Sequence, residues 1–241
     1  MTPSSNRRAT DATRILFVRG FNTDNIATGD SYAHVYEVLT QHHDVRYFRY
    51  GVDEDITHVY KELCATIDRE PWTHLIGHSM GGGLLMRWAF EHYTCDAHKY
   101  PRIEKVLLLM PLVHRVSILA TTCRIPLVKH ALVPKALMLP ASKLYANGNL
   151  LNDDFTPLPV HQIVGMYHHV MLETSQLVET LNRHYPTMVL LYARGEAFNV
   201  IPCDVLQQIH NVQYVDGLHE PFNGLGTSHA FFRTLLHHIA S

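Results

Sequence analysis

The chain has 241 residues, 46% of them apolar and 17% charged, a balance that suits one sizeable globular core and excludes a disordered or fibrous protein. A net charge of −2 argues against a nucleic-acid surface, and the most apolar run, VLLLMPLV (106–113), falls far short of the ~20 residues that span a bilayer. Cys64, Cys95, Cys123 and Cys203 stand widely apart with no Cys-x-x-Cys pair, so they are expected as buried free thiols of a reduced compartment rather than a zinc site or disulfide frame.

Residues 1–13 (MTPSSNRRATDAT) are polar, lack the apolar stretch of a signal peptide, and are expected to be a flexible tail. From Arg14 onward, short apolar runs alternate with longer amphipathic segments. Strands are predicted at 14–18, 45–49, 73–77, 105–110, 187–193 and 212–215. Helices are predicted near 30–41, 53–69, 80–93, 160–184, 202–209 and 227–239. This alternation implies an α/β domain, 14–241, with a mainly parallel sheet of about six strands, helices on both faces, and a small helical cap inserted at about 111–160. Asp53, Glu54 and Asp55 suit the first turn of the helix that follows them. Phe231, Phe232, Leu235, Leu236 and Ile239 form a core stripe at helical spacing.

Between a predicted strand (Thr73–Ile76) and a predicted helix lies Gly77-His78-Ser79-Met80-Gly81-Gly82. The pattern Gly-x-Ser-x-Gly in that context is a nucleophile elbow, in which the serine sits on a turn so sharp that residues two positions away must lack bulk. Ser79 would then be presented above the carboxyl end of a strand, beside helix N–H groups that favour developing negative charge. The Gly81-Gly82-Gly83 run lacks the Lys-Ser/Thr of a phosphate loop and belongs to the elbow. Near the far end of the chain, a short strand runs into a glycine-marked turn at Gly217 and reaches His219, where the order serine, acid, histidine places a base. Other histidine groups (42–43; 161, 168 and 169; 237–238) lack an acid at ligand spacing, so no metal is expected.

THLIGHSMGGG (73–83), KVLLLMPLV (105–113), MVLLYARGE (188–196) and GLHEPFNG (217–224) together resemble the α/β-hydrolase superfamily, in particular the monoacylglycerol lipase and lysophospholipase, or serine aminopeptidase-like, type. The resemblance implies that Ser79 is the nucleophile and His219 the general base, with no cofactor. It also implies an oxyanion hole formed by the backbone N–H of Met80 and one from the loop after the first strand. That loop reads Arg19-Gly20-Phe21, with Arg19 where relatives usually have His, and Phe21 N–H is the expected second donor.

One position departs from the family pattern. Relatives usually carry Gly-x-x-Asp followed by Pro four residues later, whereas this chain has Gly195-Glu196-Ala197-Phe198 and then Pro202. Phe198 therefore occupies the acid's register, and a phenyl ring cannot accept the histidine Nδ1–H bond. Three arrangements remain open: Glu196 as the acid, an acid after the preceding strand, or a Ser79–His219 dyad aided by water, a backbone carbonyl or Asn199. The second finds no carboxylate within Pro111–Arg115.

Lys105 to Asn152 contains no Asp or Glu and carries +6, leaving −8 for the rest. Leucine-rich segments alternate there with Lys129, Lys135 and Lys143, broken by Pro126, Pro134 and Pro140. Short helical turns of this kind fit an acyl-chain tunnel below and an anionic membrane interface outside, or a cap that packs its leucines and solvates its lysines. The expected function is hydrolysis of a carboxylic ester with a hydrophobic acyl group, in a cytoplasmic protein with peripheral membrane contact through the cap. A weakened hydrolase fold that binds a lipid or protein, a peptidase, and an acyltransferase are the alternatives.

Overall fold

The computed structural model of the chain describes residues 13–20, 32–51, 54–113, 138–140, 157–196, 200–217 and 228–241. Its strands are β1 (Arg14–Val18), β2 (Asp44–Phe48), β3 (His74–His78), β4 (Lys105–Leu109), β5 (Met138–Pro140), β6 (Pro157–Pro159), β7 (Met188–Ala193) and β8 (Val212–Val215). Six of them form one all-parallel sheet in the order β2-β1-β3-β4-β7-β8. The helices are α1 (Ala33–Thr40), α2 (Ile56–Arg69), α3 (Met80–Trp88), α4 (Val160–Gly165), α5 (Thr174–Arg183), α6 (Cys203–Leu206) and α7 (Ser228–Ala240).

Successive residues of a strand point to opposite faces, and a parallel sheet covered on both faces needs apolar residues at every position. Leu16, Val18, Leu75, Val106, Leu108, Met188 and Leu190 share one core layer with the buried stripes of α2, α3 and α5. Ile15, Phe17, Ile76, Leu107, Leu109, Val189 and Leu191 share the other with Val35 and Leu39 of α1 and Phe231, Phe232, Leu235 and Ile239 of α7. The predicted stripe of α7 is thus core. In α2 the buried residues are Ile56, Val59, Leu63 and Ile67, and the Asp55 carboxylate caps the helix by accepting from the N–H groups of Thr57 (2.8 Å) and His58 (3.3 Å).

The predicted helix 160–184 is two. After α4 the chain makes one wide turn (Met166–Val170), runs extended with Met171 and Leu172 buried, and restarts at a capping box between Glu173 and Gln176. In the insertion, Met138–Pro140 is a strand paired antiparallel with Pro157–Pro159, not a helical turn. Three of its six residues are prolines, which a two-stranded pair tolerates because each strand has a free edge. Cys95 and Cys203 are exposed and Cys64 half-buried, so the expectation of buried thiols fails at those positions: Cys95 lies in a turn and Cys203 opens the one-turn helix α6. No described helix is long and apolar enough to cross a membrane.

Candidate active site

Chain order and sheet order together pick out one place. From β1 the chain moves outward to β2, then returns across β1 to β3, so β1 and β3 are neighbours whose connections leave in opposite directions. Above the carboxyl ends of such a strand pair the following loops diverge and open a crevice. Gly20 follows β1 and Ser79 follows β3, and both stand there.

Ser79 has φ 53° and ψ −119°, a backbone conformation that a side-chain-bearing residue avoids. Such a residue typically stores about 1–3 kcal/mol of strain. Its surroundings enforce the turn. Ser79 N–H donates to Leu109 O at 2.9 Å, and its carbonyl accepts from Leu112 N at 2.8 Å and Gly83 N at 3.1 Å. A Cβ on Gly81 would lie 2.2 Å from Val18 O and 2.3 Å from Arg19 O, and one on Gly77 would lie 2.7 Å from Gly81 O. Both contacts are with backbone that cannot step aside, which is the physical reason for glycine on either side of Ser79.

Met80 is buried and opens α3, so its N–H belongs to the helix end whose donors lack intrahelical acceptors. Phe21, the expected second donor, lies outside the described residues, as do His219 and Phe198. The residue before Phe21 is placed: a Cβ on Gly20 would be 3.1 Å from Ser79 Cβ. Glu196 lies in the turn after β7, half-buried, its N–H donating to Ala193 O at 3.1 Å. Two strand spacings separate β7 from β3, roughly 10 Å. Gly195 N–H donates to Gly217 O at 3.0 Å, so the turn bearing Glu196 adjoins the turn that leads toward His219. Farther along, Ile201 N–H donates to the hydroxyl of Tyr192 in β7 at 2.9 Å. Burial pushes the Tyr192 phenol up to about 12.

Several residues here escaped the sequence. Met110, directly after β4, is a second buried non-glycine residue at positive φ (40°), held by its N–H to Leu191 O at 3.0 Å. Beneath Gly20 lies a buried polar cluster of Arg19, Tyr32, Tyr50 and His78. The Arg19 guanidinium stands 4.7 Å from the Tyr32 ring centroid and 5.9 Å from that of Tyr47, a cation over two aromatic faces. The available signal was the run Tyr47-Phe48-Arg49-Tyr50, which carries a polar-tipped aromatic just past the carboxyl end of β2, the end where the crevice opens.

No protein-family model and no curated protein matches the chain. Solved structures do. A monoacylglycerol lipase of Paleococcus ferrophilus is 15% identical with a TM-score of 0.62, covering 94% of this chain and 93% of its own. A thioesterase domain from the curacin biosynthetic pathway is 16% identical with a TM-score of 0.59, covering 96% and 92%. A structure from work on carboxylesterases of Nitrososphaera gargenis is 13% identical with a TM-score of 0.60, covering 95% and 92%. Likeness at this identity speaks for the fold alone. Taken with the six parallel strands and their helices, it shows that this chain is built on the α/β-hydrolase fold.

Proposed function

We propose that the protein is a serine hydrolase that cleaves a carboxylic ester with a hydrophobic acyl group, of the monoacylglycerol or lysophospholipid kind. The observation that supports this most strongly is Ser79 held at φ 53° above the β1–β3 crevice, against Gly20 and at the head of α3. Such strain gathers at functional sites, and here the turn presents a hydroxyl for attack.

In the proposed reaction Ser79 Oγ attacks the ester carbonyl while His219 takes its proton. The N–H groups of Met80 and Phe21 hold the resulting oxyanion, and collapse expels the alcohol, which receives the proton back from His219. Water, activated by the same histidine, then releases the acid. Glu196 is proposed as the group that accepts the His219 Nδ1–H bond. The acid-free, +6 stretch from Lys105 to Asn152 supports a lipid-like substrate and contact with an anionic membrane, and the spacing of the cysteines fits a cytoplasmic protein.

Phe198 in the acid's register favours a second reading, a hydrolase fold retained to bind a lipid or protein. Labelling of the purified chain with a fluorophosphonate, followed by intact mass and peptide mapping, separates the two. A stoichiometric adduct on Ser79, absent in Ser79→Ala, is expected. A folded protein that takes no adduct over hours is instead the binding protein.

A further inference from the structure

The peptide groups of Gly20 are gripped from two sides by side chains distant in sequence. Gly20 N–H donates to the Tyr32 hydroxyl at 3.0 Å, and the same hydroxyl lies 2.7 Å from Nδ1 of His78, the residue before the nucleophile. On the other side, the Tyr50 hydroxyl reaches Gly20 O at 2.5 Å and Arg19 O at 2.9 Å. All of these groups are buried, and burial pushes the Tyr50 phenol well above its ordinary range, so it stays a neutral O–H donor at working pH. The Tyr32 ring is held in turn by the Arg19 guanidinium over its face. There is no slack in the arrangement: a Cβ on Gly20 would sit 2.8 Å from the Tyr32 hydroxyl.

A trans peptide carries its carbonyl and the following N–H antiparallel in one plane. Holding the Gly20 carbonyl is therefore expected to set the direction of the next amide, the donor proposed above for the oxyanion. Gly20's own N–H is directed to Tyr32 and so is not that donor.

We propose that Tyr50 and Tyr32 are positioning residues for the oxyanion hole, Tyr50 acting through the Gly20 carbonyl and Tyr32 through Gly20 N–H and His78. The inference rests on the serine-hydrolase reading of Ser79. Tyr50→Phe and Tyr32→Phe remove one hydroxyl each and keep the ring. Tyr100→Phe is the control, since its hydroxyl bonds Asp68 at 2.8 Å on the segment leading into β4, at the opposite end of the sheet.

The measurements are kcat and KM on a p-nitrophenyl alkanoate, and Ki for an alkyl trifluoromethyl ketone, whose hemiketal oxyanion needs the same donors as the transition state. Loss of a whole oxyanion donor typically costs about 10²–10³ in kcat, so misdirecting one is expected to lower kcat ~10–100-fold. KM should stay within about twofold and Ki should rise by the same factor as kcat/KM falls. Tyr100→Phe should leave all three unchanged. Folded Tyr50→Phe and Tyr32→Phe proteins with wild-type kcat, or with lowered kcat and an unmoved Ki, overturn the inference. Should one variant fail to fold by near-UV circular dichroism, the other decides on the same criteria. A wild-type protein that neither turns over ester nor takes a fluorophosphonate on Ser79 overturns the hydrolase reading and this inference with it. Wild-type labelling beside unaffected variants overturns this inference alone.

Discussion

The N–H of Gly195 donates to the carbonyl of Gly217 at 3.0 Å, which binds the turn after β7 to the turn after β8. Glu196 stands one residue from this link and His219 two residues beyond it, so the proposed acid and base leave the sheet from joined strand ends. Phe198, which stands where the resemblance expects the acid, lies outside the described residues.

If Glu196 orients the histidine, Glu196→Gln replaces the carboxylate by a neutral amide with almost no change of shape, so the charge that stabilises the imidazolium is lost and the amide NH2 can face the ring in the wrong tautomer. Turnover is then expected to fall by about 10²–10⁴, since disabling the acid of a serine-protease triad lowered kcat ≈ 10⁴. Steady-state kinetics on a p-nitrophenyl ester will show this, and unchanged kcat would remove Glu196 from the mechanism.

Strain at Ser79 predicts an unusual stability ranking. Alanine retains a Cβ at φ 53°, whereas glycine relieves the strain at the cost of greater freedom in the unfolded chain. Ser79→Gly is expected to be more stable than Ser79→Ala by about 1 kcal/mol in urea unfolding, with both inactive. The reverse order would mean that the turn is unstrained.

His74 predicts acid sensitivity. It is buried in β3, and its Nε2 lies 3.1 Å from Ile239 O, an acceptor only, so the neutral ring carries its proton on Nε2 and pins the end of α7 to the sheet. Burial lowers its pKa to about 4 from 6.5. The unfolded chain thus binds the extra proton more readily, so this residue's stabilising effect is complete above about pH 6.5 and is lost as the pH falls toward 4. Equilibrium unfolding at pH 7 and pH 5 should differ by about 1–2 kcal/mol less in His74→Gln than in wild type. An equal difference would place the acid sensitivity elsewhere.

Lys129 and Lys135 belong to the acid-free stretch from Lys105 to Asn152 and lie outside the described residues. A lysine at an anionic surface contributes about 1 kcal/mol at low salt. Changing both to Gln should weaken sedimentation with phosphatidylserine vesicles at least ~tenfold, an effect that 0.5 M salt should erase. Unchanged partitioning would leave these lysines simply solvated.

What the sequence determined by itself was whatever depends on neighbours along the chain. Short apolar runs located the six strands of the main sheet to within a residue, and the Gly-x-Ser-x-Gly spacing located the turn at Ser79, although what forbids a side chain at Gly81 is the backbone of Val18 and Arg19 at the end of β1. The 160–184 segment shows where local reasoning stops: its periodicity is helical throughout, yet the capping box at Glu173 and the burial of Met171 and Leu172 divide it. Tertiary structure alone decided that Gly20 abuts Ser79, that Tyr32 and Tyr50 grip Gly20 from 12 and 30 residues away, and that Met110 takes a positive φ beside the elbow. Those relationships follow from strand order, which places β1 between β2 and β3. Strand order is set by how helices pack over both faces of the sheet, a long-range balance that no window of sequence contains.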